Sequence, residues 1–223
     1  MSFVYKNVCG FEWEMREKGI GLVFIISAPS GTGKTTVVKG LMEQVSGLRF
    51  SVSYTTRLPR PSEKDGEDYH FVSHSIFQKM EERKELLEWA EVLGNCYGTP
   101  RADLKKLGSE GIDLVLDIDT QGAKKASKQI DHPILIYLLP PSLKVLRERL
   151  LNRGADSLEM IKFRLSNARR DIEEAHWYHY VIINDKIEDA VEKLKSIVIA
   201  ERCRKIKDLI LEENKKHWEE KDG

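Results

Sequence analysis

The sequence predicts an α/β fold: a three-layer core built on a parallel sheet, interrupted by one inserted α+β lobe. Two observations carry this. Short apolar, β-branched runs (Leu22–Ser27, Ile112–Ile118, Ile134–Leu139) alternate with segments of helical spacing, the pattern of buried parallel strands joined by covering helices. From Thr55 to about Arg101 that pattern stops. Pro59, Pro61, Gly66, Gly94, Gly98 and Pro100 cut the chain into short pieces, which reads as an inserted lobe.

The elements follow in order. Leu22–Ser27 is wholly apolar up to its final serine and reads as a central strand. After a glycine-rich turn, Thr35–Gln44 has helical spacing, with Val37, Val38, Leu41 and Met42 on one side. Phe50–Tyr54 is expected as a second strand. Within the lobe, Tyr69–Val72 is strand-like and a helix is expected near Ile76–Arg83. Strand Ile112–Ile118, helix Gln121–Gln129, strand Ile134–Leu139 and helix Ser142–Leu151 return to the core pattern. Asn152–Ser157 is a turn, Leu158–Ala175 an arginine-rich helix, and Val181–Ile183 a last short strand. A long charged helix starts at Ile187.

The 223 residues suffice for one domain with inserted subdomains. The 36 basic and 36 acidic residues cancel, so nothing marks a general nucleic-acid or membrane-surface binder. Cys9, Cys96 and Cys203 are far apart and form no CxxC pair, which argues against a disulfide framework or a thiolate zinc site. Met1–Lys18 has no apolar run of signal-peptide length, and no stretch approaches a membrane span, so a cytoplasmic location is expected. The pairs His70/His74 and His176/His179 lack a third ligand and are not read as metal sites.

The strongest motif is Ala28-Pro29-Ser30-Gly31-Thr32-Gly33-Lys34-Thr35, followed by Thr36, between the first strand and the first helix. That is the setting of a Walker A loop. Backbone N–H groups of such a loop hold phosphate oxygens, and the helix start adds partial positive charge. Gly31 and Gly33 allow close backbone approach. Lys34 suits the β- and γ-phosphates, and the Thr35 hydroxyl suits Mg²⁺. Ala28 stands where the general pattern has glycine. The motif speaks for nucleoside triphosphate binding and leaves the reaction open.

A second anion site is suggested by Arg57 and Arg60, two guanidinium groups in a proline-flanked loop that suit a phosphate dianion. At this point the resemblance becomes specific. Ser51–Arg60, Gly66–Val72, Leu87–Ala90, Gly94–Thr99, Leu116–Asp119 and Gln121-Gly122 resemble, in order, the motifs of guanylate kinases, whose phosphate loop also opens with Ala or Gly. The resemblance covers roughly Leu22–Cys203. It implies ATP-dependent phosphorylation of GMP, and of dGMP with it, with Mg²⁺ accompanying ATP.

The resemblance also implies roles. Arg57, Arg60, Tyr69 and Tyr97 would hold the GMP phosphate, with Ser53 as a further donor. Glu88 would accept from guanine N1–H and the exocyclic amine, and Thr99 would meet the O6 side. Asp117 would act through Mg²⁺-bound water or by positioning Lys34, and Asp119 would support the acceptor. Arg149, Arg153 and Arg164 match lid arginines, and Asn184 an adenine contact. Cys96 departs from an often aromatic position. The implied division is an extension 1–21 and a kinase domain 22–206, then a charged helical tail 207–223. Within the domain, core is 22–54 and 102–148, the GMP lobe 55–101, a small helical lid about 149–175, and core again 176–206. A non-catalytic guanylate-kinase-like binding module, a P-loop GTPase and a kinase for another nucleoside monophosphate compete with this reading. Against them stand the intact Lys34, Thr35 and lid arginines, the lack of an Asn-Lys-x-Asp motif, and Glu88 with Thr99. A homodimer is left open.

Overall fold

A computed structural model describes residues 3–6, 12–15, 21–61, 63–92, 94–104, 112–152 and 157–219. Strands β1 (Phe3–Lys6) and β2 (Glu12–Met15) pair antiparallel, with Phe3 opposite Met15, so the segment expected only as an extension contains a hairpin. The core follows as β3 (Val23–Ser27), α1 (Lys34–Gln44) and β4 (Leu48–Phe50). The inserted lobe holds β5 (Tyr54–Thr55), β6 (His70–Phe71), α2 (His74–Glu82), β7 (Leu86–Val92) and β8 (Asn95–Pro100). The chain re-enters the core with β9 (Asp113–Asp117), α3 (Thr120–Ala126), β10 (Ile134–Leu139) and α4 (Leu143–Asn152). It ends with α5 (Leu158–Glu173), a 3₁₀ turn (Glu174–Trp177), β11 (Tyr180–Ile183) and α6 (Ile187–Glu219).

The core sheet runs β11-β10-β3-β9-β4, and each pairing is parallel. Side chains of β3 alternate between two apolar layers, as the two-residue pleat requires. Phe24 and Ile26 pack with Val37, Val38 and Leu41 of α1 and with Val191, Leu194 and Val198 of α6. Val23 and Ile25 pack on the opposite face with Ala123 and Ala126 of α3 and with Tyr137 and Tyr178. This is the expected three-layer core. Burying each such aliphatic side chain contributes about 1.5–3 kcal/mol before the entropy of ordering it.

One expected strand divides in two. The run Phe50–Tyr54, expected as one strand, is split: β4 ends at Phe50 in the core sheet and β5 starts at Tyr54 in the lobe sheet. The polar residues between explain the break. The Ser51 N–H still donates to the Val115 carbonyl, while its hydroxyl donates to Asp103 (2.6 Å). Two residues on, the Ser53 carbonyl accepts from His70 of the other sheet. The lobe sheet runs β6-β5-β8-β7. Leu146 and Leu150 of α4 and Ile161 and Ala168 of α5 form a separate small core. The charged tail expected from 207 is continuous with α6 as far as Glu219.

Asp113 opens β9 fully buried, and it ties three segments together. Its carboxylate accepts from the Leu22 N–H (2.9 Å) and from Arg202 Nε (2.7 Å) on α6. Removing the guanidinium takes a charged partner away from a buried carboxylate. Arg202→Met is expected to lower unfolding free energy by about 3 kcal/mol, read as a shift in urea midpoint at unchanged slope. A loss smaller than about 0.5 kcal/mol would show that the carboxylate does not depend on Arg202.

Candidate active site

The phosphate loop lies where the parallel sheet delivers it, between the C-terminal end of β3 and the start of α1. Gly31 and Gly33 have φ of +90° and +94°. A side chain at either would be strained, and it would also collide. An added Cβ would lie 2.7 Å from Leu150 Cδ2 at Gly31 and 2.9 Å from Asn184 Nδ2 at Gly33. Ala28, Pro29 and Thr32 are buried, whereas Ser30, Thr35 and Thr36 are exposed.

Asp117 closes the loop from the neighbouring strand. Pairing of β3 with β9 sets Ile26 beside Asp117. One carboxylate oxygen lies 2.5 Å from Lys34 Nζ, and the other accepts from the Thr35 hydroxyl at 3.3 Å. Lys34 Nζ also donates to the Ile118 carbonyl (2.7 Å). An ammonium, a hydroxyl and a carboxylate thus meet at the mouth of the loop.

The lobe supplies a second anion cradle. Pairing of Thr55 with Tyr97 brings β5 and β8 together just before Arg57. Arg57 Nη2 donates to Glu63 Oε1 (2.9 Å), and Arg60 Nη1 approaches the same oxygen at 3.4 Å. Glu63 Oε2 accepts from the Arg60 backbone N–H (2.8 Å). The Arg57 guanidinium also lies 5.5 Å from the centre of the Tyr69 ring. Tyr69 meets Tyr97 edge-on at 5.9 Å. Arg57, Arg60, Tyr69 and Tyr97, expected together from the resemblance, lie close to one another around the Glu63 carboxylate. That anion, Glu63, was missed; an acid three residues after Arg60 was the signal available. Ser53 is buried between the two sheets.

This cradle abuts the phosphate-loop side. Lys39 on α1 donates to Asp68 (2.6 Å), the residue before Tyr69, which holds that carboxyl below its ordinary range. Burial pushes the Tyr69 phenol up, and the charge of Asp117 adds to the effect.

Glu88, Thr99 and Asp119 form a third cluster. Glu88 on β7 faces Thr99 on β8, and the Thr99 hydroxyl donates to Glu88 Oε1 at 2.6 Å. Asp119 caps α3 by accepting from the Gly122 N–H (2.7 Å). Gly122 leaves room for Glu88: a Cβ there would stand 2.6 Å from Oε2. Burial pushes the Glu88 carboxyl up to about 7; the Thr99 hydrogen bond pulls the other way, and Asp119 raises it further.

Two of the three predicted lid arginines can be placed. Arg164 on α5 donates to the Ser30 hydroxyl. Arg149 on α4 donates to the carbonyls of Thr32 (3.1 Å), Asn184 (3.0 Å) and Asp185 (3.0 Å). Arg153 lies outside the described residues. Asn184 is fully buried, and its amide donates to the Thr32 carbonyl at 2.7 Å.

A phosphate loop on a parallel core, with a second anion cradle on an inserted lobe, defines a P-loop nucleoside monophosphate kinase. The sequence profile described as guanylate kinase matches residues 21–201. The chain is 50% identical over 184 residues to a guanylate kinase of Geobacter metallireducens, covering 82% of this chain and 91% of that one. With the guanylate kinase of Caldanaerobacter subterraneus it shares 44% over 199 residues, 88% and 97% of the two chains. A crystal structure of guanylate kinase from Anaplasma phagocytophilum superposes with a TM-score of 0.68 at 35% identity, covering 83% and 88%. The chain belongs to the guanylate kinase family.

The environment of Glu88 has a measurable consequence. Its folded-state pKa, about 7, exceeds its ordinary value near 4.5. The neutral form therefore stabilises the fold fully below about pH 4.5, and that contribution is lost as pH rises through 7. Glu88→Gln, which stays neutral, is expected to gain on the order of 2–3 kcal/mol over the parent between pH 4.5 and 8, by urea unfolding at each pH. A constant difference across that range would place the carboxyl in contact with water.

Proposed function

We propose that the chain transfers the γ-phosphoryl group of ATP directly to GMP, with the phosphate loop holding the donor and the inserted lobe the acceptor. The observation that carries this reading is the pair of anion cradles joined across Lys39–Asp68, one on the core and one on the lobe. ATP-dependent phosphorylation of GMP is the activity of the family to which the chain belongs.

Residues 28–36 would hold the triphosphate, with Lys34 on its β- and γ-phosphates. Asn184 lies against the loop in the donor half. Arg57, Arg60, Tyr69 and Tyr97 would hold the GMP phosphate, exchanging the Glu63 carboxylate for a dianion, with Ser53 as a further hydroxyl donor. Glu88 and Thr99 would read the guanine edge, with Asp119 behind them. The core (22–54, 102–148, 176–206), lobe (55–101) and lid (about 149–175) would move as three parts.

The oxygen donors at the loop suit Mg²⁺, a hard cation that keeps several waters and takes one or two protein oxygens beside substrate phosphates. The Thr35 hydroxyl and the Asp117 carboxylate stand together there. Bound Mg²⁺ would neutralise charge developing between the β- and γ-phosphates.

In the transfer, an oxygen of the GMP phosphate forms a bond to the γ-phosphorus as the bond to the β–γ bridging oxygen breaks, leaving ADP and GDP. Charge spreads over three equatorial oxygens, so fixed cations do most of the catalytic work. Lys34 supplies one. Arg149, Arg153 and Arg164 would supply others as the lid closes and expels water.

Formation of ADP with GMP, AMP, CMP or UMP as acceptor tests the reading; equal rates with all four would refute guanine recognition. Glu88→Gln is expected to lower the GMP-to-AMP ratio of kcat/KM at least about tenfold, because it exchanges a two-donor match for a mixed one. Lys34→Ala is expected to lower kcat at least about 100-fold while the GMP Kd stays within about twofold. Normal turnover in that variant would remove Lys34 from the transfer step.

A further inference from the structure

We propose that Asn184 is a positioning residue for the phosphate loop: it fixes the peptide between Thr32 and Gly33, and so aims the Gly33 N–H at the donor's phosphates. The inference deepens the function proposed above and rests on the loop's being the triphosphate site.

Three independent observations converge on this one peptide. First, Asn184 immediately follows β11 and is fully buried, and its Nδ2 donates to the Thr32 carbonyl at 2.7 Å. Second, Arg149 Nη1 donates to the same carbonyl at 3.1 Å and to the Asn184 carbonyl at 3.0 Å, so one guanidinium ties the loop to the segment that carries Asn184. Third, Gly33 has φ +94°, and an added Cβ would stand 2.9 Å from Asn184 Nδ2. Glycine at 33 thus meets two needs: the left-handed backbone and the room that the asparagine amide occupies.

The consequence follows from peptide geometry. In a planar trans peptide, the carbonyl of residue 32 and the N–H of residue 33 point to opposite sides. No cis bond occurs among the described residues. Holding the Thr32 oxygen against Asn184 therefore turns the Gly33 N–H the other way. A loop that binds phosphate through backbone N–H groups gains from having them aimed before the ligand arrives. Without Asn184 the Thr32 carbonyl keeps only the Arg149 bond, so a peptide flanked by glycine turns more freely and binding must supply more of the ordering.

A contact with the adenine base makes a different demand on the side chain. One amide N–H is already engaged on the Thr32 carbonyl, and Oδ1 is buried with no hydrogen-bond partner among the described residues. The two roles separate by ligand. A base contact matters only to ATP, whereas a loop tether matters to every triphosphate, including one with no base.

Asn184→Asp keeps the shape but replaces the donor with an acceptor facing another oxygen. Asn184→Ser removes the reach and adds no charge, and so covers a failure of the first variant to fold. Binding of Mg-ATP, Mg-UTP and Mg-tripolyphosphate to both variants is measured by calorimetry, with GMP binding as the check on the fold. The expectation is an equal loss of about tenfold for all three triphosphates, with GMP affinity within about twofold of the parent. A loss confined to ATP overturns the tether and assigns Asn184 to the base. Unchanged binding of all three overturns it as well. A parent protein that binds no triphosphate would instead overturn the reading of the loop itself.

Discussion

The register between β3 and β9 is the constraint on which the active site depends. Parallel pairing sets Ile26 beside Asp117, so the carboxylate emerges next to the turn that leaves β3. Slipping that register by one residue would send Asp117 to the other face of the sheet, and every apolar neighbour with it. The two apolar layers forbid the slip: Leu114 and Leu116 belong to one, Val115 to the other. Hydrophobic packing thus fixes a polar contact. Asp117 then orients Lys34 and Thr35, the first two residues of α1, through separate oxygens.

The lobe is organised differently, by charge. Its two arginines, Arg57 and Arg60, sit on a loop and are held together by one acid. That acid, Glu63, accepts from both guanidinium groups through one oxygen and from the Arg60 backbone through the other. All three partners are N–H donors, the kind a phosphate dianion also requires. Tyr69 ties the clamp to the fold, since its neighbour Asp68 is bonded to Lys39 on the helix that starts at the phosphate loop. The core thus positions the phosphate loop by packing, while the lobe positions its arginines by ion pairs and meets the core through contacts such as Lys39–Asp68 and Gln129 with the Leu87 carbonyl.

What could be read from the sequence follows this division. The phosphate loop, Asp117 and the core strands were legible because a buried parallel strand has a distinctive composition and a loop of known spacing follows it. Glu88 and Thr99 were legible only through the family resemblance. Their juxtaposition is a cross-strand pairing between β7 and β8, and neither strand has an apolar pattern clear enough to give its register. Glu63 was overlooked because a surface acid in a charged loop is commonplace. Its partners became visible only with the fold. The division of Phe50–Tyr54 escaped for a related reason. The chain crosses from one sheet to another without a turn residue, and the bonds of Ser51 and Ser53 that mark the crossing are tertiary. Asn184 and Thr32 are 152 residues apart, and no local pattern links them.

Burial at Glu88 joins specificity to protonation. The same low-dielectric surroundings that lift its pKa to about 7 also make an unmatched partner costly there. In the proposed complex guanine would offer Glu88 two N–H donors, which favour the charged carboxylate, so GMP binding would draw the group toward ionisation. Adenine offers an acceptor at N1, which repels the carboxylate but suits the protonated acid. As the proposed base reader, Glu88 would match guanine when charged and adenine better when neutral. Two neighbours hold it at the boundary. The Thr99 hydroxyl stabilises the charge, and Asp119, held in place by capping α3, opposes it. Gly122 supplies the room without which Oε2 could not stand over that helix end. Under the proposed reading, discrimination between the two purines would rest on the balance of these contacts.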